Sequence, residues 1–354
     1  MKILHLTDEV WDSGLTAYAL QISEQLLKAG HDVKVGVRPG KKPEEMAKAQ
    51  GIPTVAVQNF FDLMRLLQTE PWDVVNSHTG RTHTWTVFSY LLREPHPCAA
   101  IVRTRGDARP LRVNFLSRFI YQHTHGVVAL SEHIRRQYER GFYLGEERLR
   151  TIYPTVEVEA AITAPPKNTV GVLGRLDPVK GHTVFLDAAA RVLKEVPDAR
   201  FLIAGSEANV SADILMNQAR ELKIDRSVNV VGFQPSASDF MKGCSAGVIA
   251  SIGSEEVSRA CLEWMAAGRP VVGTLVGCLP ELIETDETGF LVPPGDSAAM
   301  GEAIIKLLKD QALSSRLGKM AHEIIQKKFN GKIQLEKTLD LYSNALQRAR
   351  AGRA

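Results

Sequence analysis

The run Gly174-Arg175-Leu176-Asp177-Pro178-Val179-Lys180-Gly181 sets two cations five residues apart between glycines. Arginine offers a fork of donors and lysine a point charge, so the pair can converge on one diphosphate. Spacing alone also allows a surface turn with two solvated cations. A second segment, Ser251–Pro270, carries Glu255 and Glu263. Its pattern predicts a strand, a polar turn and a helix that stops at Gly268 with Pro270 behind it. Backbone N–H groups around Val257 and Ser258 would be free at such a helix start and would attract an anion. Glu263 lies six residues beyond Val257, roughly 9 Å along the axis. That is the offset between a diphosphate and the ribose of one nucleotide, where a carboxylate can accept from two vicinal hydroxyls. The plainer alternative is a pair of exposed helix carboxylates.

Other anion devices are absent. No G-x-G-x-x-G follows the first strand, and no D-x-D pair occurs to chelate a metal-bound diphosphate. The stretch Gly36–Lys42 lacks both the spacing and the Ser/Thr of a phosphate loop, and reads as a solvated turn. Any anion must therefore be held by basic side chains and helix N-termini.

The elements that would position these residues alternate along the chain. Strands are expected at Ile3–Thr7, Asp32–Val37, Thr54–Val57, Asp73–Ser77, Ala100–Arg103 and Gly126–Leu130, with amphipathic helices between them at Ala17–Ala29, Phe60–Thr69, His83–Arg93, Val113–His123 and Glu132–Arg140. After a Pro-containing break over Glu157–Asn168, a second series follows. Its strands are Thr169–Gly174, Arg200–Ala204, Ser227–Val231, Gly247–Ala250, Pro270–Thr274 and Phe290–Val292. This rhythm predicts two doubly wound α/β domains with parallel sheets, residues 1–160 and 161–332. The last helix, about 333–350, is expected to pack back on the first domain. In such folds ligands bind at the carboxyl ends of the strands, so the default site is the cleft between domains.

Composition bounds the rest. At 354 residues and 39.0 kDa the length fits about two domains. The 44% hydrophobic and 23% charged fractions are those of an ordinary globular protein, not a disordered one. Net charge of +3 is too small for a dedicated nucleic-acid binder. Asp8 and Glu9 interrupt any signal-peptide core, and no apolar run reaches the ~18 residues of a membrane span. Cys98, Cys244, Cys261 and Cys278 form no C-x-x-C pair, which suggests packed, reduced thiols and a cytoplasmic location.

The order of these pieces resembles the retaining GT-B glycosyltransferases of the family 4 type (glycosyl transferases group 1). The resemblance rests on Ser254-Glu255-Glu256-Val257-Ser258-Arg259-Ala260-Cys261-Leu262-Glu263 through Val272, on Gly277-Cys278-Leu279-Pro280-Glu281 followed by Thr288–Asp296, and on Val230-Val231-Gly232-Phe233. It also rests on Ser13-Gly14 and Gly30-His31-Asp32-Val33, and it runs over essentially the whole chain. It implies two Rossmann-like domains and transfer of a sugar from a nucleotide-diphosphate donor, a UDP-sugar first among them. The implied acceptor is a glycan or glycolipid such as lipopolysaccharide core, with no metal or other cofactor. Arg175 and Lys180 would offset the leaving diphosphate's charge, aided by Gly174, and Glu263 would hold the ribose. Glu255 would contact donor-sugar hydroxyls, the amides of Val257 and Ser258 would cradle the distal phosphate, and Gly232-Phe233 would meet the base. Gly14 would approach the phosphate with its backbone. Retention is commonly explained by front-face attack, in which a donor phosphate oxygen takes the acceptor proton. A nucleotide-sugar epimerase, a phosphorylase, or a non-catalytic sugar-nucleotide binder is the alternative.

The sequence departs from that pattern in places. Glu256-Val257-Ser258 stands where Gly-Phe-Gly is usual, and Gly106 where a histidine is common. Asp107, Arg105 or His78 would then serve near the transferring carbon. Arg103, Arg105, Arg109, Arg112 and Arg118 face only Asp107 in sequence. They read either as a solvated basic surface or as contacts for a phosphorylated acceptor or anionic headgroups, each cation contributing roughly 1 kcal/mol near such a surface. Peripheral contact with an anionic membrane face is compatible with this. No aromatic platform interleaves the arginines, so no nucleic-acid partner is expected.

Overall fold

The structure, a computed structural model, describes residues 1–92, 99–107, 110–158 and 162–351. It divides into two compact units: Met1–Pro154 with the chain from Gly331 onward, and Thr155–Asn330. The first break falls between Pro154 and Thr155, earlier than the expected residue 160.

In unit 1 the strands are β1 (Lys2–Leu6), β2 (Asp32–Val37), β3 (Thr54–Ala56), β4 (Val74–Ser77), β5 (Ala100–Arg105), β6 (Gly126–Ala129) and β7 (Leu149–Thr151). They form one parallel sheet in the order β3-β2-β1-β4-β5-β6-β7. Helices α1 (Gly14–Lys28), α2 (Lys42–Ala49), α3 (Phe60–Thr69), α4 (Gly80–Leu92), α5 (Phe115–Gln122) and α6 (Glu132–Phe142) connect them. The central strands carry runs such as Val74-Val75 because a sheet covered on both faces buries consecutive side chains. Two elements of this unit escaped the sequence reading. Helix α2 starts at Lys42, with Pro43 in its first turn, directly after the turn expected there. Strand β7 has only three residues and lies at the sheet edge. A run that short shows no readable alternation.

Unit 2 repeats the plan with β8 (Thr169–Leu173), β9 (Arg200–Ala204), β10 (Val228–Gly232), β11 (Ala246–Ile249), β12 (Val271–Thr274) and β13 (Gly289–Val292), in the order β10-β9-β8-β11-β12-β13. Its helices are α7 (His182–Glu195), α8 (Ala212–Glu221), α9 (Ala237–Lys242), α10 (Arg259–Ala266), α11 (Leu279–Leu282), α12 (Ser297–Lys309) and α13 (Gln311–Lys328). The chain then returns to unit 1 as α14 (Gly331–Ala351), which packs on α1, β5 and β6. Leu341 and Ala345 of α14 press on Gly126, where an added Cβ would come within 3.5 Å of both. Each sheet thus has a point where strand order reverses, between β1 and β4 and between β8 and β11. Ligands of open α/β sheets bind beside such points.

Candidate functional site

In unit 2 the reversal point is open. A cavity of about 170 Å3 lies at the ends of β8 and β11 and is lined by Gly174, Lys180, Ser251, Glu255, Ser258 and Arg259, among others. Glycines make it possible. Trp264, fully buried, lies against Gly171 and Gly247, where an added Cβ would sit 2.7 and 2.2 Å from its ring. Burying so large a side chain anchors α10 on the sheet and aims its N-terminus at the strand ends. At the other end of α10, Gly268 adopts φ +69° and Arg269 is completely buried. The Arg269 guanidinium donates to the carbonyls of Met241, Lys242 and Thr163, which pins the helix exit.

The loop after β8 is shaped as tightly. Asp177 Oδ1 accepts Val179 N–H at 3.0 Å, and Asn209 donates to Oδ2 at 2.7 Å. These bonds, the Val179 one foremost, hold the Asp177 carboxyl below the usual range. Gly181 has φ +68°, and an added Cβ there would meet Ala250 O at 2.0 Å. Only glycine lets this turn close on the end of β11. Ile252 N–H then donates to Val179 O at 2.9 Å. Lys180 is thereby brought to Glu255, with which it pairs directly. Ser251 Oγ donates to the same Glu255 oxygen at 2.5 Å. Glu255 is only 3% exposed, and the Lys180 ammonium is its charge partner. Arg175 is exposed.

Glu263 lies one turn into α10 and receives Arg259 Nε at 2.8 Å. Burial pushes its carboxyl above the usual range, against the pull of Arg259. Neither Arg259 nor Ser251 had been assigned a role from sequence. The i, i+4 spacing of Arg259 and Glu263 was the legible signal for the first. Val257 and Ser258 line the cavity as expected of a helix start. The Ser258 N–H, however, already donates to Cys278 Sγ at 3.3 Å. Gly232 adopts φ +70° at the end of β10 with nothing within 4 Å of an added Cβ, and Phe233 beside it is 70% exposed. An exposed ring next to an open glycine is available to stack on a flat ligand.

Unit 1 treats the corresponding point differently. His5 of β1 accepts or donates to Ser23 Oγ at 3.0 Å and Tyr342 OH at 3.1 Å, and its Nδ1 lies 3.3 Å from His78 Nε2. Asn76 Nδ2 donates to Tyr342 OH, and Thr104 Oγ1 to Asn76 Oδ1. This network is wholly buried. Desolvation lowers His5 to about 4 and pushes His78 well below its ordinary value, with His5 and Arg103 adding to the latter. Both rings are neutral near pH 7.

Beside it, a larger cavity of about 710 Å3 is lined by His83, Arg103, Arg105, Asp107, Arg112 and Tyr121, among others. Arg103 and Arg105 are buried, which sets aside the solvated-surface reading for these two. Arg103 donates to Ser77 O at 3.0 Å, and both guanidiniums reach Asp107 only at 3.5 Å. Arg112 and Arg118 are exposed, and Arg109 lies outside the described residues. Gly14 opens α1, with nothing within 4 Å of an added Cβ. Among the described residues no group of three or more His, Cys, Asp or Glu is arranged to hold a metal ion, and no helix is long and apolar enough to cross a membrane.

Comparison with known proteins bears on both units. Residues 13–160 match the family model Glycosyltransferase Family 4, and residues 167–310 match Glycosyl transferases group 1. The chain is 28% identical over 334 residues to the phosphatidyl-myo-inositol mannosyltransferase of Mycobacterium leprae, covering 86% of each. It is 27% identical over 175 residues to the N-acetyl-alpha-D-glucosaminyl L-malate synthase of Bacillus anthracis, which is 49% of this chain and less than half, 45%, of that relative. The crystal structure of Anabaena HepE in complex with UDP superposes with a TM-score of 0.84 at 19% identity, covering 97% of this chain and all of that one. Two matched models over consecutive halves, on two parallel-sheet α/β domains of GT-B type, make this chain a member of the family 4 (group 1) glycosyltransferases.

Proposed function

We propose that this protein is a retaining, metal-independent glycosyltransferase that moves a sugar from a UDP-sugar to a hydroxyl of a glycan or glycolipid acceptor such as lipopolysaccharide core. The observation that carries the reading is the unit 2 cavity, where Lys180, Glu255 and the start of α10 meet at the strand-order reversal. Its ~170 Å3 is smaller than the roughly 300–1,000 Å3 of a whole ligand site, which suits it to a diphosphate and the adjoining sugar. Lys180 and Arg175 offset the charge that grows on the leaving diphosphate, and the Val257 amide with α10 adds fixed dipoles. Glu255 orients sugar hydroxyls. Glu263 accepts from the ribose after giving up Arg259, and Gly232-Phe233 meet the base. In the transfer the anomeric carbon–phosphate oxygen bond breaks, the carbon–acceptor oxygen bond forms on the same face, and the acceptor proton passes to the departing diphosphate. No protein nucleophile is needed.

The unit 1 cavity supports an anionic acceptor group, because the buried guanidiniums of Arg103 and Arg105 line it. Asp107 and His78 would act on that side, as positioning groups near the acceptor. Val113, Phe115 and Leu116 stand exposed between Arg112 and Arg118, and no acidic residue occurs from position 108 to 131. That combination suits peripheral contact with anionic headgroups beside a glycolipid acceptor.

A thermal-shift panel of UDP, GDP, ADP and their sugar conjugates, with and without magnesium, tests the donor. UDP at a hundred times its dissociation constant should add about 2.7 kcal/mol without metal, and Glu263→Ala should lose most of that shift. No stabilisation by any nucleotide diphosphate would sink the reading; a shift that needs magnesium would sink its metal independence.

A further inference from the structure

The cysteines among the described residues, Cys244, Cys261 and Cys278, are all buried. Two of them bond only to residues four positions away. Cys244 Sγ donates to Phe240 O at 3.5 Å, and Cys261 Sγ to Met265 Sδ at 3.9 Å. Cys278 differs. It stands directly before α11, yet its thiol makes no cap bond to that helix. Instead Sγ accepts the Ser258 N–H at 3.3 Å across 20 residues, while the Cys278 N–H donates to Glu255 O at 2.7 Å. Burial pushes this thiol up, so it stays protonated near neutral pH and is no nucleophile. What it offers is an acceptor.

The segment held in this way follows a strained path. Ser254, just ahead of Glu255, has φ +60°, a left-handed backbone that a residue with a Cβ keeps only where its surroundings over-determine it. Gly277 lets the partner turn come close enough to do so, since at φ +56° an added Cβ would strike Glu255 O at 2.1 Å. The Glu255 side chain is fixed from elsewhere, by Lys180 and by Ser251 Oγ at 2.5 Å. Its backbone and its carboxylate are therefore located by different segments. A carboxylate located at both ends can meet ligand hydroxyls without first being ordered. Loss of the thiol would leave the Ser258 N–H buried without its acceptor, and the path from Ser254 to Ser258 would relax. We infer that Cys278 is a positioning residue for the donor sugar: its thiol and its amide hold Glu255–Ser258 in this path and so aim the Glu255 carboxylate. This rests on the reading of Glu255 as the group that orients sugar hydroxyls.

Amide hydrogen exchange and calorimetric titration of wild type, Cys278→Ala and Cys278→Ser test it. The ligands are UDP and UDP-glucose, or the nucleotide diphosphate and sugar conjugate that the thermal-shift panel selects. In ligand-free Cys278→Ala the Ser258 N–H should exchange about tenfold faster than in wild type. UDP-glucose should bind that variant about tenfold more weakly, while UDP stays within about twofold, because UDP lacks the sugar that Glu255 orients. Cys278→Ser, which keeps an acceptor, should recover part of both losses, and a cooperative melt of each variant would show that it folds. Unchanged Ser258 exchange in Cys278→Ala would overturn the hydrogen bond. Faster exchange with equal losses for UDP and UDP-glucose, or with no loss for either, would overturn the aiming of Glu255. Failure of the wild type to bind any nucleotide diphosphate would remove the donor reading and the positioning role with it, whereas the exchange rates do not depend on that reading.

Discussion

The two units share a sheet plan and use its reversal point in opposite ways. Unit 2 leaves the β8/β11 point open, with Gly174 on its wall and a helix start aimed at the space. Unit 1 fills the β1/β4 point with His5, His78, Asn76 and Tyr342, closed on one another by hydrogen bonds. Its open cavity is displaced to the side of β5, under Arg103 and Arg105. The first arrangement presents a helix start and two ion pairs, Lys180–Glu255 and Arg259–Glu263, which in the proposed function would release a cation or a carboxylate to the ligand. The second is a neutral, preorganised floor that cannot give up its partners without leaving buried polar groups unsatisfied. A topology therefore offers a place for a ligand, and side-chain volume decides whether the place is kept empty.

The contrast can be broken experimentally. The largest effect is expected for Lys180→Ala in unit 2. Removing a preorganised charge from a developing oxyanion costs roughly 10²–10³ in kcat, so turnover should fall far more than UDP affinity. The same variant leaves Glu255 buried without its cation and should melt lower than wild type. A KM change with unaltered kcat would move Lys180 out of the transition state and into ground-state binding.

Unit 1 should answer to pH instead. The unfolded chain protonates histidine near 6.5 and folded His5 only near 4, so protons favour the unfolded state. Stability is full above about pH 6.5 and declines as pH falls towards 4, by roughly 3 kcal/mol at most from this residue. His125 of the same unit, also lowered to about 4 by burial, adds to the decline. His5→Asn should flatten the dependence of melting temperature on pH between 6.5 and 4; an unchanged slope would show that the network does not set the acid limit.

The smallest effect on the fold is expected at the exposed apolar edge. Phe115 is 87% exposed, so Phe115→Ser should shift stability by less than about 0.5 kcal/mol. Binding to vesicles containing anionic lipid should weaken about tenfold in a sedimentation assay if the ring is buried there. Equal sedimentation of wild type and variant, or equal binding to neutral vesicles, would remove the membrane contact from the proposal.

Much of this was legible before any coordinates. Asp32–Val37, Arg200–Ala204 and Phe60–Thr69 fall where apolar periodicity predicted them, because each buries a face whose spacing the chain displays. Lys180, Glu255 and Ser258 were visible as a motif at a strand end and a helix start, and they do line one cavity. Helix α2 was not visible, since its eight residues bury only Pro43 and Ala47 and so show no apolar stripe.

Sequence by itself determined the two-part α/β plan, the strand-end location of the cations, and the glycines that turns such as Gly181 and Gly277 require. These are local matters, settled by periodicity and by φ values open only to residues without a Cβ. Only the tertiary structure decided what each polar group is bonded to. It paired Lys180 with Glu255 across 75 residues and His5 with Tyr342 across 337. It also spent the Ser258 amide on Cys278 and left the hydroxyl free of protein partners among the described residues. Hydrogen bonding is exclusive and acts at about 3 Å, so a group's availability for chemistry depends on distant segments whose approach no local pattern encodes.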